Sequence, residues 1–433
     1  MRFIADLHIH SKYSRATSRD MDVDNLNKWA KIKGIKVLGT GDFTHTLWIK
    51  ELKSKLEPAE PGLFKMKKKI HSSLVSDDWL PNNTHRHDEG TRFLLSSEIS
   101  CIYSKNNRTR KVHIVVLAPD FSTVEKINTR LGWIGNLKSD GRPILGLDAK
   151  ELAKIVLNTS GDCLIIPGHI WTPWFSLFGS MSGFDSIEEC FEEYSKYIYA
   201  GETGLSSDPE MNWRWSALDK IALVSNSDAH SPAKIGREAN IFDTDLSYAG
   251  VVEAIKSKDP QKFLETIEFF PEEGKYHYDG HRNCQICLTP QESKRIKNIC
   301  PQCQRPLTIG VLHRVDDLAD RKEGEKPAQV IPFRKTIPLE EIIAEAKGMG
   351  PTSKAVREEY KNLIKRLGSE FKILLEVSPE QIEQASSAEI AEGVARVRQG
   401  KVNIEPGYDG EFGRIKIFQD EERGNFSKQA SLF

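Results

Sequence analysis

The 433-residue chain has no apolar run approaching the roughly 18 residues of a membrane span. Its first residues also lack the basic, apolar and small-residue regions of a secretory signal. A membrane protein is therefore not expected, and the cytoplasm is the expected location. Neither charge sign is in excess: 61 Lys and Arg against 62 Asp and Glu leave a net charge of -1. No global basic field announces a nucleic-acid partner, so any such surface must be local. Lys65-Met66-Lys67-Lys68-Lys69 and Arg108-Thr109-Arg110-Lys111 are the candidate patches. No Gly-rich phosphate loop occurs, which disfavours nucleotide-driven phosphoryl transfer. Cysteine is scarce outside one cluster, with Cys101, Cys163 and Cys190 standing alone. That excludes a disulfide framework and fits a reducing compartment.

What is present divides the chain. Its length predicts two or three domains, and 39% apolar with 28% charged residues describes a globular protein. Over residues 1 to about 270, short apolar runs alternate with helical patterns. The runs are Arg2 to Ala5, Ile35 to Leu38, Phe93 to Leu95, Val112 to Leu117, Cys163 to Ile166, Tyr197 to Ala200 and Ile221 to Val224. This alternation predicts an α/β fold with a parallel sheet of about seven strands closed as a barrel. The stretch from Pro58 to Gly90 fits no element and reads as a charged insertion.

Each run ends in, or lies beside, a metal-binding residue type: His8 and His10, Asp42 and His45, Glu98, His113, His169, Glu202, then Asp228 and His230. In a parallel barrel the carboxyl ends of the strands converge on one face, so residues scattered in sequence meet in space. Imidazole and carboxylate ligands suit divalent ions, and the set is large enough for two or three of them. Ions about 3.5–4 Å apart activate water and stabilise the leaving oxygen of an in-line displacement at phosphorus.

His8-x-His10, Gly41-Asp42, Glu98, His113, His169 and Asp228-x-His230 resemble the motifs of the PHP (polymerase and histidinol phosphatase) superfamily. The resemblance implies a distorted seven-stranded barrel and a trinuclear metal site that hydrolyses phosphoesters. The superfamily's Thr-Asp-His appears here as Gly41-Asp42-Phe43 with His45 following, which leaves Asp42 and His45 as alternative ligands, Asp42 preferred. Pro167 to Phe175, Glu202 to Met211 and Asn226-Ser227-Asp228-Ala229-His230-Ser231-Pro232 narrow the likeness to the endonuclease Q family. That family nicks DNA 5′ of deaminated bases and abasic sites. The implied metal ligands are His8, His10, Asp42, Glu98, His113, His169, Asp228 and His230, with Asp228, His230 and Glu98 catalytic. The ions expected are two or three of zinc, manganese or magnesium. A base turned out of the helix needs a flat apolar wall; Trp171, Trp174 and Phe175, with Tyr408 further on, are candidates.

From 271 to about 315, Cys284-x-x-Cys287 and Cys300-x-x-Cys303 read as a four-cysteine structural zinc module. Residues 316–418 are expected to form a small, mainly helical C-terminal domain, with the helical pattern running from Pro338 onward and ending in a strand through Phe412, Ile415 and Ile417. Residues 419–433 form a polar tail whose Gln429-x-x-Leu432-Phe433 resembles the peptide that docks on a DNA sliding clamp. The expected partners are damaged DNA and that clamp, in a nucleoid-associated cytoplasmic enzyme. A PHP-type small-molecule phosphoesterase and a non-catalytic clamp-bound damage sensor are the rival readings.

Overall fold

The computed structural model describes residues 1–67 and 90–419. Gln429, Leu432 and Phe433 of the tail, and Lys68 and Lys69 of the first basic patch, lie outside them. The first part of the chain contributes β1 (Arg2–Asp6), β2 (Val37–Gly39), β3 (Leu56–Pro58), β4 (Phe64–Met66), β5 (Arg92–Lys105), β6 (Arg108–Ala118), β7 (Ile144–Leu145), β8 (Leu164–Pro167), β9 (Ala200–Glu202), β10 (Ala222–Val224), β11 (Ala239–Asp243) and β12 (Phe263–Glu268).

Seven of these strands close a barrel. β1, β2 and β5 run parallel, β6 lies between β5 and β8, and β9 pairs with β10. Ile170 N donates to Glu202 O (3.0 Å) at the β8–β9 seam. The ring shuts where Asp228 N donates to His8 O (2.9 Å) and His10 N to Ala229 O (3.0 Å). The parallel pairing expected holds at β1–β2, β2–β5 and β9–β10 and fails at β6, which is antiparallel to both neighbours. The cause is local. Asn106 and Asn107 both adopt positive φ (54° and 57°), the signature of a two-residue hairpin turn. So short a connection reverses the chain, whereas a parallel return needs a crossover of a dozen residues or more.

Alternate strand residues fill the barrel: Ala5, Leu7, Val37, Leu94, Val115, Leu117, Leu164, Ile166 and Val224 pack together. The helix Tyr248–Ser257 adds Val251, Ala254 and Ile255 to this interior. Outside, helix Val23–Lys33, capped by the Asp22 carboxylate on Asn25 N, buries Leu26 and Ala30. Helix Ala149–Leu157, capped by Asp148, buries Leu152, Ala153 and Val156. Each such aliphatic side chain contributes about 1.5–3 kcal/mol by leaving water. The described part of the Pro58 to Gly90 stretch is not shapeless, as was expected. It holds the β3–β4 hairpin, laid on β5 with Phe64 opposite Phe93.

β11 and β12 extend the sheet antiparallel beyond β1. The chain then leaves the barrel. It forms the hairpin β13 (Asp279–His281) and β14 (Ile286–Leu288), helices Pro290–Arg295 and Val311–Leu318, and returns as β15 (Phe333–Lys335), parallel to β12. The helical body starts at Leu339. Its helices, Leu339–Ala346, Lys354–Leu367, Glu370–Leu375, Pro379–Ala385 and Ala388–Arg398, enclose Ile342, Ile343, Tyr360, Leu363, Ile364 and Val394. The hairpin β16 (Asn403–Glu405) and β17 (Arg414–Lys416) follows. Among the described residues no helix is long and apolar enough to cross a membrane.

Candidate metal centre

The open end of the barrel collects buried imidazoles around one carboxylate. Glu98 lies on β5, and its Oε1 stands 2.6 Å from His113 Nδ1 and 3.2 Å from His169 Nε2. Its Oε2 stands 3.2 Å from His10 Nε2 and 3.6 Å from His8 Nε2. Asp228 Oδ1 completes the second side at 2.9 Å from His10 Nε2 and 3.7 Å from His8 Nε2. Two donor groups result: His8, His10, Glu98 and Asp228, and Glu98, His113 and His169. Glu98 belongs to both, which suits a carboxylate that bridges two ions.

The outer nitrogens of three imidazoles are fixed. His8 Nδ1 donates to Glu202 (3.0 Å), His10 Nδ1 to Asp42 Oδ1 (3.1 Å), and His169 Nδ1 meets Thr172 Oγ1 (3.1 Å). Such partners set ring orientation and tautomer and make the inner nitrogen a better ligand. Asp42 and His45 were the open pair of ligands. Asp42 Oδ2 is taken by Ser11 N, Ser11 Oγ and Ser14 Oγ, so Asp42 orients His10 and stands outside the donor groups. His45 turns away, stacked on Tyr13 at 4.4 Å with Nε2 near Lys138 O. His230 also falls outside both groups: its Nδ1 donates to Asp228 O (2.8 Å), and its side chain is 31% exposed on the rim.

The backbone is bent to serve the site. Asp42, His169 and Asp228 all sit at positive φ (50°, 28° and 47°), a conformation costly for residues with a Cβ and typical of functional sites. Asp6 holds the last of these bends: it accepts from Ser227 N, Ser227 Oγ and Gly236 N across the loop that carries Asp228.

The donor set fits divalent cations. His8 Nε2, His10 Nε2 and Asp228 Oδ1 are buried without a hydrogen bond of good geometry, a costly state that a cation relieves. Burial alone would raise the Glu98 carboxyl, yet His113, Arg142 and His8 hold it well below the usual carboxylate range. Burial opposes charging His8 as well, but Glu202 and Glu98 push its pKa well above the ordinary value. The pocket is built for positive charge. It holds no cysteine, so oxygen- and nitrogen-preferring ions are favoured. Sequence reasoning missed Arg142, whose Nη1 donates to Glu98 Oε2 (3.1 Å). The one signal for it was an arginine fixed between Gly141 and Pro143.

Beside the centre lies a cavity of about 530 Å³ lined by Trp174, Phe175, Leu205, Tyr276 and Phe412, among others. The Phe175 ring is 4.9 Å from that of His113, and Thr172 belongs to both cavity and centre. Two of the four expected base-pocket residues are elsewhere. Trp171 is fully buried against Phe178 and Trp215, with its Nε1 on Asn212. Tyr408 packs its ring on the Gly280 backbone at the metal module.

In that module Cys284, Cys300 and Cys303 converge with His281, not with Cys287. The hairpin register decides this. His281 pairs with Ile286 next to the turn, while Cys287 pairs with Gly280, one step further from it. Burial pushes the Cys284 and Cys287 thiols alike up to about 11, so position and not acidity separates them. At Cys300 burial also acts upwards, but the Cys303 and Gln302 amides prevail and bring it to about 6, as a thiolate ligand requires. Together His281, Cys284, Cys300 and Cys303 would form a His-x-x-Cys and Cys-x-x-Cys set of the kind that holds structural zinc.

Comparison with known proteins places the chain. Residues 338–401 match the family described as the MJ0043 C-terminal domain, and residues 210–260 match the PHP-associated family. Protein MJ0043 of Methanocaldococcus jannaschii is 34% identical over 308 residues, 67% of this chain, and this chain spans 38% of that relative's length. Protein YqxK of Bacillus subtilis is 30% identical over 331 residues, 75% of this chain and 79% of its own. The crystal structure of the lesion-specific endonuclease PfuEndoQ from Pyrococcus furiosus matches at TM-score 0.83 and 31% identity, covering all of both chains. A structure of endonuclease Q with a 27-mer duplex bearing an abasic lesion at the active site matches at TM-score 0.81 and 32% identity, over 97% of this chain and 98% of that one. With the metal-ligand barrel, the metal module and the helical body all within that alignment, the chain belongs to the endonuclease Q family and carries its PHP-type fold.

Proposed function

We propose that the chain is a metal-dependent DNA repair endonuclease. It hydrolyses the phosphodiester 5′ of uracil, hypoxanthine, xanthine or an abasic site and leaves 3′-hydroxyl and 5′-phosphate ends. The observation that carries this reading is the junction of two features: donor groups joined through Glu98, and an aromatic cavity touching them through Thr172 and Phe175. Support comes from the relative solved with an abasic duplex at its active site. His8, His10, Glu98 and Asp228 would hold one ion, and His113 and His169 with Glu98 a second. When bound, such ions lower the pKa of water and stabilise a departing oxygen. Glu202, Asp42 and Thr172 keep the imidazoles aligned. Trp174, Phe175, Tyr276 and Phe412 offer ring faces to a base turned out of the duplex; deaminated pairs cost less to open than normal ones. Arg282, Arg295, Lys297 and Arg305 are exposed on the metal module and would contact the phosphate backbone. The enzyme acts at the nucleoid, held to a sliding clamp by Gln429, Leu432 and Phe433.

End-labelled duplexes with one deoxyuridine, deoxyinosine or abasic site, incubated with manganese, magnesium or a chelator, test the reading. A metal-dependent nick immediately 5′ of the lesion is expected. Turnover of small phosphomonoesters without nicking would replace it with the phosphoesterase, and lesion binding without nicking would leave a sensor. Deleting residues 429–433 should abolish clamp binding and spare nicking of short duplexes.

A further inference from the structure

The guanidinium of Arg142 does more than pair with Glu98. It reaches the centre from a loop and donates one hydrogen bond, Nη1 to Glu98 Oε2. An arginine side chain carries five N–H donors, so four remain, on a side chain that is 23% exposed. The side chain thus touches the metal centre and is partly open to solvent.

The loop is fastened tightly. Asp140 Oδ1 accepts from both Arg15 N and Arg142 N (3.2 Å each), Gly141 N donates to Tyr13 O (2.9 Å), and Thr44 Oγ1 donates to Gly141 O (3.1 Å). Ser100 N then takes Pro143 O (3.0 Å), which ties the far side to β5 two residues beyond Glu98. A side chain at Gly141 would strike Asp42 Oδ2 and Ser14 Oγ, the groups that orient His10. The backbone on either side of Arg142 is thereby fixed, which sets the place from which its side chain reaches Glu98.

The charge balance gives that side chain a use. Arg142 is the one permanent cation in contact with either donor group among the described residues. Glu98 and Asp228 are the carboxylates of the donor groups, and divalent ions bound there would balance their charge in full. The guanidinium is then surplus until another anion enters. In a phosphodiester hydrolase that anion is the substrate, and the planar fork of arginine matches two phosphate oxygens as an ammonium cannot.

Resting on the nuclease reading above, we infer that Arg142 is a catalytic residue that hydrogen-bonds a non-bridging oxygen of the scissile phosphate. It neutralises the charge that builds there as the bond breaks. It makes no covalent bond and transfers no proton.

The test is single-turnover nicking of an abasic-site duplex by wild type, Arg142→Lys and Arg142→Ala, with bound metal measured in each. Loss of a preorganised donor of this kind costs about 10²–10³ in rate. That loss is expected for Arg142→Ala with metal content unchanged, with part of the rate restored by free guanidinium. Arg142→Lys should fall between. One diastereomer of a phosphorothioate at the scissile position should slow wild type and lose that effect in Arg142→Ala, a signature that a merely structural arginine would not give. Arg142→Ala cleaving within about threefold of wild type, or keeping the full phosphorothioate effect, overturns the inference. A wild type that leaves the lesion duplex intact overturns the nuclease reading itself, and this inference with it.

Discussion

His281 Nδ1 lies 3.4 Å from Cys303 Sγ, which makes this imidazole the candidate for the fourth place in the metal module in place of Cys287. Cys287→Ser should therefore retain the module's metal. His281→Ala should lose affinity by at least the roughly 10–100-fold that removing an outer-shell partner costs. Metal release followed with a chromophoric chelator checks both. Release from Cys287→Ser as fast as from His281→Ala would restore the four-cysteine site.

Asp42 and His45 separate in the same manner. Asp42→Asn leaves His10 Nδ1 facing an amide that can turn its NH₂ toward it, so metal affinity of the barrel should fall about 10–100-fold. His45→Ala removes a ring that touches Tyr13 and Lys138 O and should leave barrel metal content unchanged. Titration of the apoprotein with manganese or zinc gives the comparison; equal losses in the two variants would count against the assignment.

Two tryptophans three residues apart should behave oppositely. Trp174 is 39% exposed at the cavity, whereas Trp171 is fully buried. Trp174→Ala is expected to melt like wild type and to bind lesion DNA more weakly by about 1–3 kcal/mol, the worth of one stacked base. Trp171→Ala should lose about 3–5 kcal/mol of folding stability. Calorimetry beside fluorescence anisotropy on an abasic duplex separates the two effects, and a Trp174→Ala variant with unchanged affinity would remove Trp174 from the binding wall.

Below the centre, Glu268 and Glu238 are buried together. Burial pushes the Glu268 carboxyl from its ordinary 4.5 up to about 8, against hydrogen bonds from Thr266 and Thr203. Burial and the Glu268 charge raise Glu238 as well. The native state thus keeps a proton on Glu268 that the unfolded chain gives up near 4.5. Its contribution to stability is complete below that pH and is lost as pH rises through about 8. Glu268→Gln mimics the protonated acid, so its melting temperature should fall less than wild type's between about pH 6 and about pH 9. Parallel curves would refute the shared burial as the cause.

How much of this was open to sequence reading depends on the range of the interaction that fixes each residue. The seven-strand barrel was legible because its apolar runs are local and its ligand types sit at their ends, as at His8-x-His10. The reversal of β6 was written in Asn106-Asn107, a turn signal that the wider βα rhythm outweighed. β11 escaped because its buried Asn240, which bonds Ser225 and Asn226 across the sheet, breaks the apolar pattern. Arg142 was hidden because its partner Glu98 is 44 residues away, and no periodicity encodes that distance. At the metal module the strong Cys-x-x-Cys pattern masked His281. Only the pairing of His281 with Ile286 shows which three side chains Cys284 faces.

The return of β15 to the side of β12 makes the metal module a long excursion between two neighbouring strands, rather than an appendage. Residues 269–332 leave the sheet and come back to it, so both ends of the module are anchored in the barrel. During synthesis the outer edge of β12 stays unpaired until the whole module has emerged, and an unpaired edge is a template for other chains. Capturing a metal at His281, Cys284, Cys300 and Cys303 would shorten that excursion by folding it early and bring Phe333 back within reach of Thr266. An ion bound in the module would then act on the barrel as a folding clasp, at a distance from the donor groups at its open end.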